Sequence, residues 1–159
     1  MQQERRLTEP DPEFGPRVPG VTYVERPGAY AIIRARGDLV ACVRVTAGRL
    51  YLPGGGIERG ELPESALLRE IAEELGWHAR IVGIIGCATQ FLLAYGEGYF
   101  AIRATYFQTE LLEQHGRQHE HELVWLTAAA AKASLVRESD AWAISQVSTK
   151  CAYARRPDF

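Results

Sequence analysis

The chain has 159 residues, 47% of them hydrophobic and 24% charged, with a formal charge of −2. That composition suits one globular domain able to bury its own core. The near balance of charge excludes a global field favouring nucleic acid or an anionic membrane, so a polyanionic ligand would have to be attracted locally or through a bound cation.

The cysteines, Cys42, Cys87 and Cys151, are scattered and odd in number. Buried, reduced thiols are expected rather than a disulfide framework. Residues 1–17 are polar and lack an apolar segment of the secretory kind, and the most apolar stretch, 81–88, is too short to span a bilayer. A cytoplasmic location follows as the expectation, with no membrane and no nucleic-acid partner.

Residues 1–20, rich in Pro and Gly after Glu9, read as an extended N-terminal segment. Residues 21–154 read as a single domain and 155–159 as a tail. Val21 to Arg26 predicts a short strand broken at Pro27-Gly28. Ala29–Ala35 and Leu39–Val45 are β-type runs joined by Arg36-Gly37-Asp38, a hairpin signal. Leu50–Leu52 is a brief strand entering the turn Pro53-Gly54-Gly55-Gly56.

A helix is predicted over 63–75. Pro63 suits its first position, Glu64 its positive end and Gly76 its stop, although Leu62 is a poor cap. Residues 81–95 and 99–109 are Ile-, Phe- and Tyr-rich strands separated by Gly96-Glu97-Gly98. The polar stretch 111–120 reads as a loop and Leu123–Leu126 as a strand. Thr127 can cap a helix over 128–133, and a last helix is predicted over 138–153. Strands on both sides of one central helix, followed by terminal helices, predict an α/β protein with a mixed β-sheet covered on two faces.

The chemistry concentrates in residues 55–77, GGIERGELPESALLREIAEELGW. Glu70, Glu73 and Glu74 fall at i, i+3 and i+4 and share an arc of roughly 100° on a helix. Leu67, Ile71 and Leu75, extended by Leu68 and Ala72, form the apolar stripe that anchors the helix and leaves the carboxylate face outward. Arg69 offsets part of the like-charge repulsion, and oxygen-seeking Mg²⁺ or Mn²⁺ would neutralise the rest. A solvated acidic face is the ordinary alternative. The glycine turn at a fixed offset before the helix favours a site, because it brings backbone groups and carboxylates to one place.

This segment resembles the Nudix box, G-x5-E-x7-R-E-U-x-E-E-x-G-U with U a bulky apolar residue. Gly55, Glu61, Arg69, Glu70, Ile71, Glu73, Glu74 and Gly76 match, and Trp77 stands where an aliphatic residue is usual. The resemblance implies the α/β/α sandwich of the Nudix-like fold and metal-dependent hydrolysis of a pyrophosphate bond in a nucleoside diphosphate linked to another moiety: a nucleoside triphosphate, a dinucleoside polyphosphate or a nucleotide sugar. It implies Glu70, Glu73, Glu74 and the Gly54 carbonyl as ligands of Mg²⁺ or Mn²⁺. Arg69, partnered by Glu61, orients the carboxylates. Glu70 or a later loop glutamate, Glu120 ahead of Glu122, takes the proton from the attacking water. Family members are often dimers, so a homodimer is an expectation that the resemblance brings.

The box says little about the rest of the substrate. Tyr23, Tyr30, Phe91, Tyr95, Tyr99 and Phe100 are candidates for stacking a base, with core packing the alternative. The downstream proline that resembles ADP-ribose pyrophosphatases is absent, and Tyr95 is a weak likeness to the dinucleoside polyphosphate group. His115, His119 and His121 could be a metal cluster, although a polar loop is the simpler reading. A non-catalytic nucleotide-sensing domain on the same fold is a second functional class. An isomerase, which would need Cys87 near the site, is a third.

Overall fold

The computed structural model describes residues 9–116 and 119–147. Its strands are β1 (Glu13–Phe14), β2 (Val24–Ile32), β3 (Arg34–Ala35), β4 (Leu39–Arg44), β5 (Leu50–Tyr51), β6 (Gly54–Gly56), β7 (Trp77–Ala94), β8 (Gly98–Gln114) and β9 (Glu122–Thr127). The helices are α1 (Pro63–Leu75), α2 (Ala128–Ser134) and α3 (Glu138–Gln146).

One mixed sheet runs β1-β7-β8-β2-β6, and a second sheet contains β3, β4, β5 and β9. β2 is parallel to β8 and antiparallel to β6, while β4 pairs antiparallel with β9. The central strands are buried on both faces, so alternate residues serve opposite layers. Ala29, Ala31 and Ile33 join Ala41 and Val43 against Leu67, Ile71 and Leu75 of α1. Tyr30, Ile32, Val40 and Cys42 face the other way, toward Ala131 of α2 and Ala143 and Ile144 of α3. Two cores flank the sheets, and the result is the expected α/β/α sandwich.

Several boundaries depart from the sequence reading for identifiable reasons. Pro27-Gly28 does not break a strand; β2 runs through it. A residue's N–H and C=O point the same way in a strand, and the Pro27 carbonyl accepts from Ile57 N–H at 3.0 Å. Its missing N–H therefore faces the end of short β6 and interrupts no pairing with β8. The glycines 54–56 form a strand rather than a turn, paired with residues 28–30 of β2. Residues 111–114 are strand rather than loop, because β7 begins at Trp77 and pairs Trp77 with Gln114. Polar side chains on an exposed hairpin arm concealed that extension.

The N-terminal segment contributes β1, which lies parallel to β7 at Thr89 and Gln90. The Arg36-Gly37-Asp38 turn is present, with Gly37 and Asp38 at positive φ and Asp38 paired with Arg34. The predicted cap of α2 forms, Thr127 Oγ1 accepting from Ala130 N–H at 3.2 Å. Helix α3 ends at Gln146, and the rest of the helix expected to 153 lies outside the described residues, as do Cys151 and the tail 155–159. Cys42 is buried, and burial pushes its thiol up to about 11, whereas Cys87 is only half-buried.

Candidate active site

Helix α1 begins at Pro63 without a side-chain cap and ends at Gly76, whose left-handed φ of 69° lets its N–H reach the Ala72 carbonyl at 3.0 Å. Its buried side chains are Ala66, Leu67, Ile71 and Leu75. Leu68, assigned to this stripe by periodicity, is 36% exposed, and Ala66 is buried instead.

The carboxylates do not share one outward face. At about 100° per residue, Glu74 lies some 60° from Ile71 around the helix, whereas Glu73 lies about 160° away. Glu73 is accordingly half exposed and Glu70 mostly covered. Glu74 is drawn toward the sheet, where its Oε2 accepts from Gly54 N–H at 3.1 Å. Burial pushes the Glu74 carboxyl up to about 8; the Gly54 hydrogen bond pulls it down, and the charges of Glu70 and Glu120 add to the rise.

The glycine strand fits against these groups because it lacks side chains. A Cβ on Gly55 would lie 2.5 Å from the Glu70 carboxyl carbon. A Cβ on Gly54, whose φ is 133°, would lie 2.1 Å from the Ala29 carbonyl oxygen. Pairing of β6 with β2 thus holds the glycine backbone directly against Glu70 and Glu74.

Arg69 braces the assembly. Its Nε and Nη2 donate to the two Glu61 oxygens at 2.8 and 3.1 Å. Nη1 donates to Glu70 at 2.9 Å and Glu73 at 3.2 Å, and Nη2 reaches the Gly56 carbonyl at 3.1 Å. Hydrogen bonding to Arg69, with a further bond from Glu58 N–H, holds the Glu61 carboxyl below the usual carboxylate range. The two-pronged Glu61 contact fixes the guanidinium plane, which in turn fixes Glu70.

No three acidic, histidine or cysteine side chains among the described residues form a ready-made metal cage. What converges is a pair of carboxylates, Glu70 and Glu74, at the Gly54–Gly55 backbone. An all-oxygen set of one or two carboxylates with open positions fits Mg²⁺, which keeps several waters and takes other ligands from substrate phosphates.

The loop after β8 rests on the end of α1: Glu120 N–H donates to the Glu73 carbonyl at 3.3 Å, and His121 N–H to that of Glu74 at 3.0 Å. The Glu120 charge is near enough to help raise the Glu74 carboxyl, while Glu122 pairs with Arg44 at 3.1 Å. His115 packs edge-on against His78, and His119 and His121 line a separate cavity with Trp77. Cys87 lies beside Thr105 and lines another cavity with Trp142, apart from the glutamates.

A cavity of about 310 Å³ opens beside Gly54–Gly56 and Glu74, between the two sheets. Of the proposed aromatic stacking residues, Tyr30 lines it. Tyr23 packs edge-on against Phe91 and Tyr99, and Tyr95 is 93% exposed at the hairpin tip. Phe100 is buried under the Arg26 guanidinium, 3.7 Å from its ring centre. Sequence reasoning missed Arg26, Tyr51 and Arg137 in the cavity wall. Tyr51, four residues before the box glycine, carried a positional hint, whereas Arg137 carried none.

A NUDIX domain model matches residues 24–146, and the chain belongs to the Nudix family. The Mycobacterium tuberculosis protein named "Putative 8-oxo-dGTP diphosphatase 2" is 38% identical over 106 residues, 64% of this chain and 72% of that protein. An RNA pyrophosphohydrolase of Psychrobacter cryohalolentis is 33% identical over 61 residues, 38% of this chain, and the match spans only 35% of that protein's length. The fold is shared with a NUDIX hydrolase from Nitrosomonas europaea, with a TM-score of 0.66 and 18% identity over 82% of this chain and 93% of that one. Nudix hydrolases generally use divalent metals. No helix among the described residues is long and apolar enough to cross a membrane.

Proposed function

We propose that this chain hydrolyses the pyrophosphate bond of a small nucleotide, a nucleoside triphosphate before a dinucleoside polyphosphate or a nucleotide sugar, with Mg²⁺ or Mn²⁺. The observation that carries the reading is the convergence of Glu70 and Glu74 on the Gly54–Gly55 strand, with Arg69 locked behind them. Glu70, Glu74 and the Gly54 carbonyl would hold the cation, with Glu73 as an outer oxygen donor. When bound, a divalent cation neutralises the diphosphate and makes water more acidic.

The protein groups do the rest. Arg69 and Glu61 hold Glu70 in position while its other oxygen remains available. Glu70 or Glu120 accepts the proton of the attacking water, Glu120 from the loop that rests on the end of α1. The cavity beyond Gly56 takes the nucleoside. The triphosphate preference draws on the mycobacterial relative's name and on a cavity sized for one nucleoside.

The test is a panel of deoxynucleoside triphosphates, dinucleoside polyphosphates, ADP-ribose and nucleotide sugars, with and without Mg²⁺, on the wild type and Glu74→Gln. Mg²⁺-dependent turnover of a triphosphate, reduced at least about a hundredfold in the variant, is expected, since even outer partners of a metal site cost about 10–100-fold. Undiminished turnover by Glu74→Gln would overturn the assignment. Absence of any product would favour a nucleotide-sensing domain.

A further inference from the structure

One sheet face forms a wall of the cavity that would take the nucleoside. Side chains alternate along a strand, so Arg26, Gly28 and Tyr30 of β2 share that face. Gly28 pairs with Gly56 and Arg26 with Ile102, which brings these partners onto it as well. Arg26, Tyr30, Gly56 and Ile102 all line the cavity. A Cβ on Gly56 would meet nothing within 4 Å, so bare backbone meets open space there.

Arg26 lies against this face. Phe100 is its diagonal neighbour across the ladder, two residues before Ile102, a spacing within reach of a long side chain. The guanidinium carbon stands 3.7 Å from the Phe100 ring centre, and Phe100 is only 3% exposed. The Arg26 side chain is 53% exposed. One face of the guanidinium is therefore covered by the ring, and the opposite face is open and bounds the cavity. Its ion-pair partner among the described residues, Glu97, meets one terminal nitrogen at 3.8 Å, and an exposed pair of that kind holds little.

The place of Arg26 along the strand decides what it meets. Tyr30 pairs with Gly54, whose N–H holds Glu74. Arg26 is four residues away along β2, about 13 Å at the rise of an extended chain. The diphosphate belongs beside Gly54 and the glutamates, so the far end of the cavity receives the group attached to it. A guanidinium plane backed by an aromatic ring suits the flat face of a base, and every base has such a face. Phosphate is the less fitting ligand, because Glu97 beside Arg26 would repel it.

We propose that Arg26, backed by Phe100, is a substrate-binding residue that stacks the open face of its guanidinium on the nucleobase and holds the nucleoside end of the substrate. The contact grips a purine more firmly than a pyrimidine, because fused rings cover more of the guanidinium. The inference rests on the nucleotide reading above and adds how the nucleoside is held.

The test compares Arg26→Met, which removes both the plane and the charge, with Arg26→Lys, which keeps the charge and loses the plane. With Mg²⁺ and dGTP, dATP, dCTP or dTTP, KM should rise about tenfold or more in both variants, the scale of one stacked base, while kcat stays within about threefold. The rise should be larger for the two purine substrates. A wild-type KM in Arg26→Lys beside an impaired Arg26→Met marks a charge contact to phosphate and overturns the proposal. An unchanged KM in both variants, or a loss confined to kcat, overturns it as well. The wild type supplies a check that survives misfolding of either variant: GMP should inhibit with a Ki at least about tenfold below that of ribose 5-phosphate, which lacks the base, and equal values overturn the proposal. If no nucleotide is hydrolysed, the hydrolase reading fails separately, and calorimetric titration of the wild type and Arg26→Lys with GMP decides this one: tighter binding by the wild type supports it, and equal or absent binding overturns it.

Discussion

The two ends of the cavity are built in opposite ways. The glutamate end comes from one continuous stretch, 54–74, in which a glycine strand, a turn and a helix supply the backbone, the carboxylates and the bracing arginine. The nucleoside end is assembled from residues far apart in sequence: Tyr30 on β2, Tyr51 on β5 and Arg137 before α3. Chemistry common to every diphosphate can be held at fixed spacing in one segment. Recognition of the attached group is left to side chains that change independently of the catalytic segment. Substitutions at the first end should abolish turnover whatever the substrate, and those at the second should redistribute it among substrates.

The sharpest way to break this contrast is Gly55→Ala. The added methyl would meet the Glu70 carboxylate at 2.5 Å, so it should cut kcat at least about a hundredfold for all substrates alike, while circular dichroism stays native. A substrate-dependent loss would mean that the glycine strand also reads the nucleoside.

A smaller effect, on stability, sharpens the account of Glu74. Its carboxyl is raised in the fold to about 8 from an unfolded value of 4.5. Above pH 4.5 the unfolded chain gives up that proton more readily than the folded one, so the group destabilises the metal-free protein progressively up to about pH 8. Glu74→Gln should therefore raise the Tm of metal-free protein at pH 8.5 by about 3 °C or more and leave it nearly unchanged at pH 4.5. Saturating Mg²⁺ should narrow or reverse the difference at high pH by stabilising the wild type alone. A variant less stable than wild type at pH 8.5 without metal would show that Glu74 is not a strained, desolvated acid.

How much could be read in advance follows the same division. Helix α1 has the predicted bounds because Pro63, Glu64 and Gly76 are local signals. The Arg69–Glu61 brace was reachable because both residues belong to one spaced motif. The inward turn of Glu74 was not: a helical wheel places it near the apolar stripe but cannot show that β6 lies beside it. Pro27 and the glycines 54–56 misled for a related reason, since local breaker preferences yield when a neighbouring strand supplies the pairing. Arg137 was invisible because its place in the cavity wall depends on Tyr30 and Tyr51, brought to it only by the packing of two sheets.

The central claim is that Glu70 and Glu74, held against the glycine strand, bind a divalent cation. Titration of the metal-free protein with Mn²⁺, followed by the loss of the free-ion electron paramagnetic resonance signal, tests it directly. The account predicts saturable binding by the wild type, weakening of at least about tenfold in the Glu70→Gln/Glu74→Gln variant and no change in Glu64→Gln, whose carboxylate lies in the first turn of α1. Wild-type affinity in the double variant would contradict it.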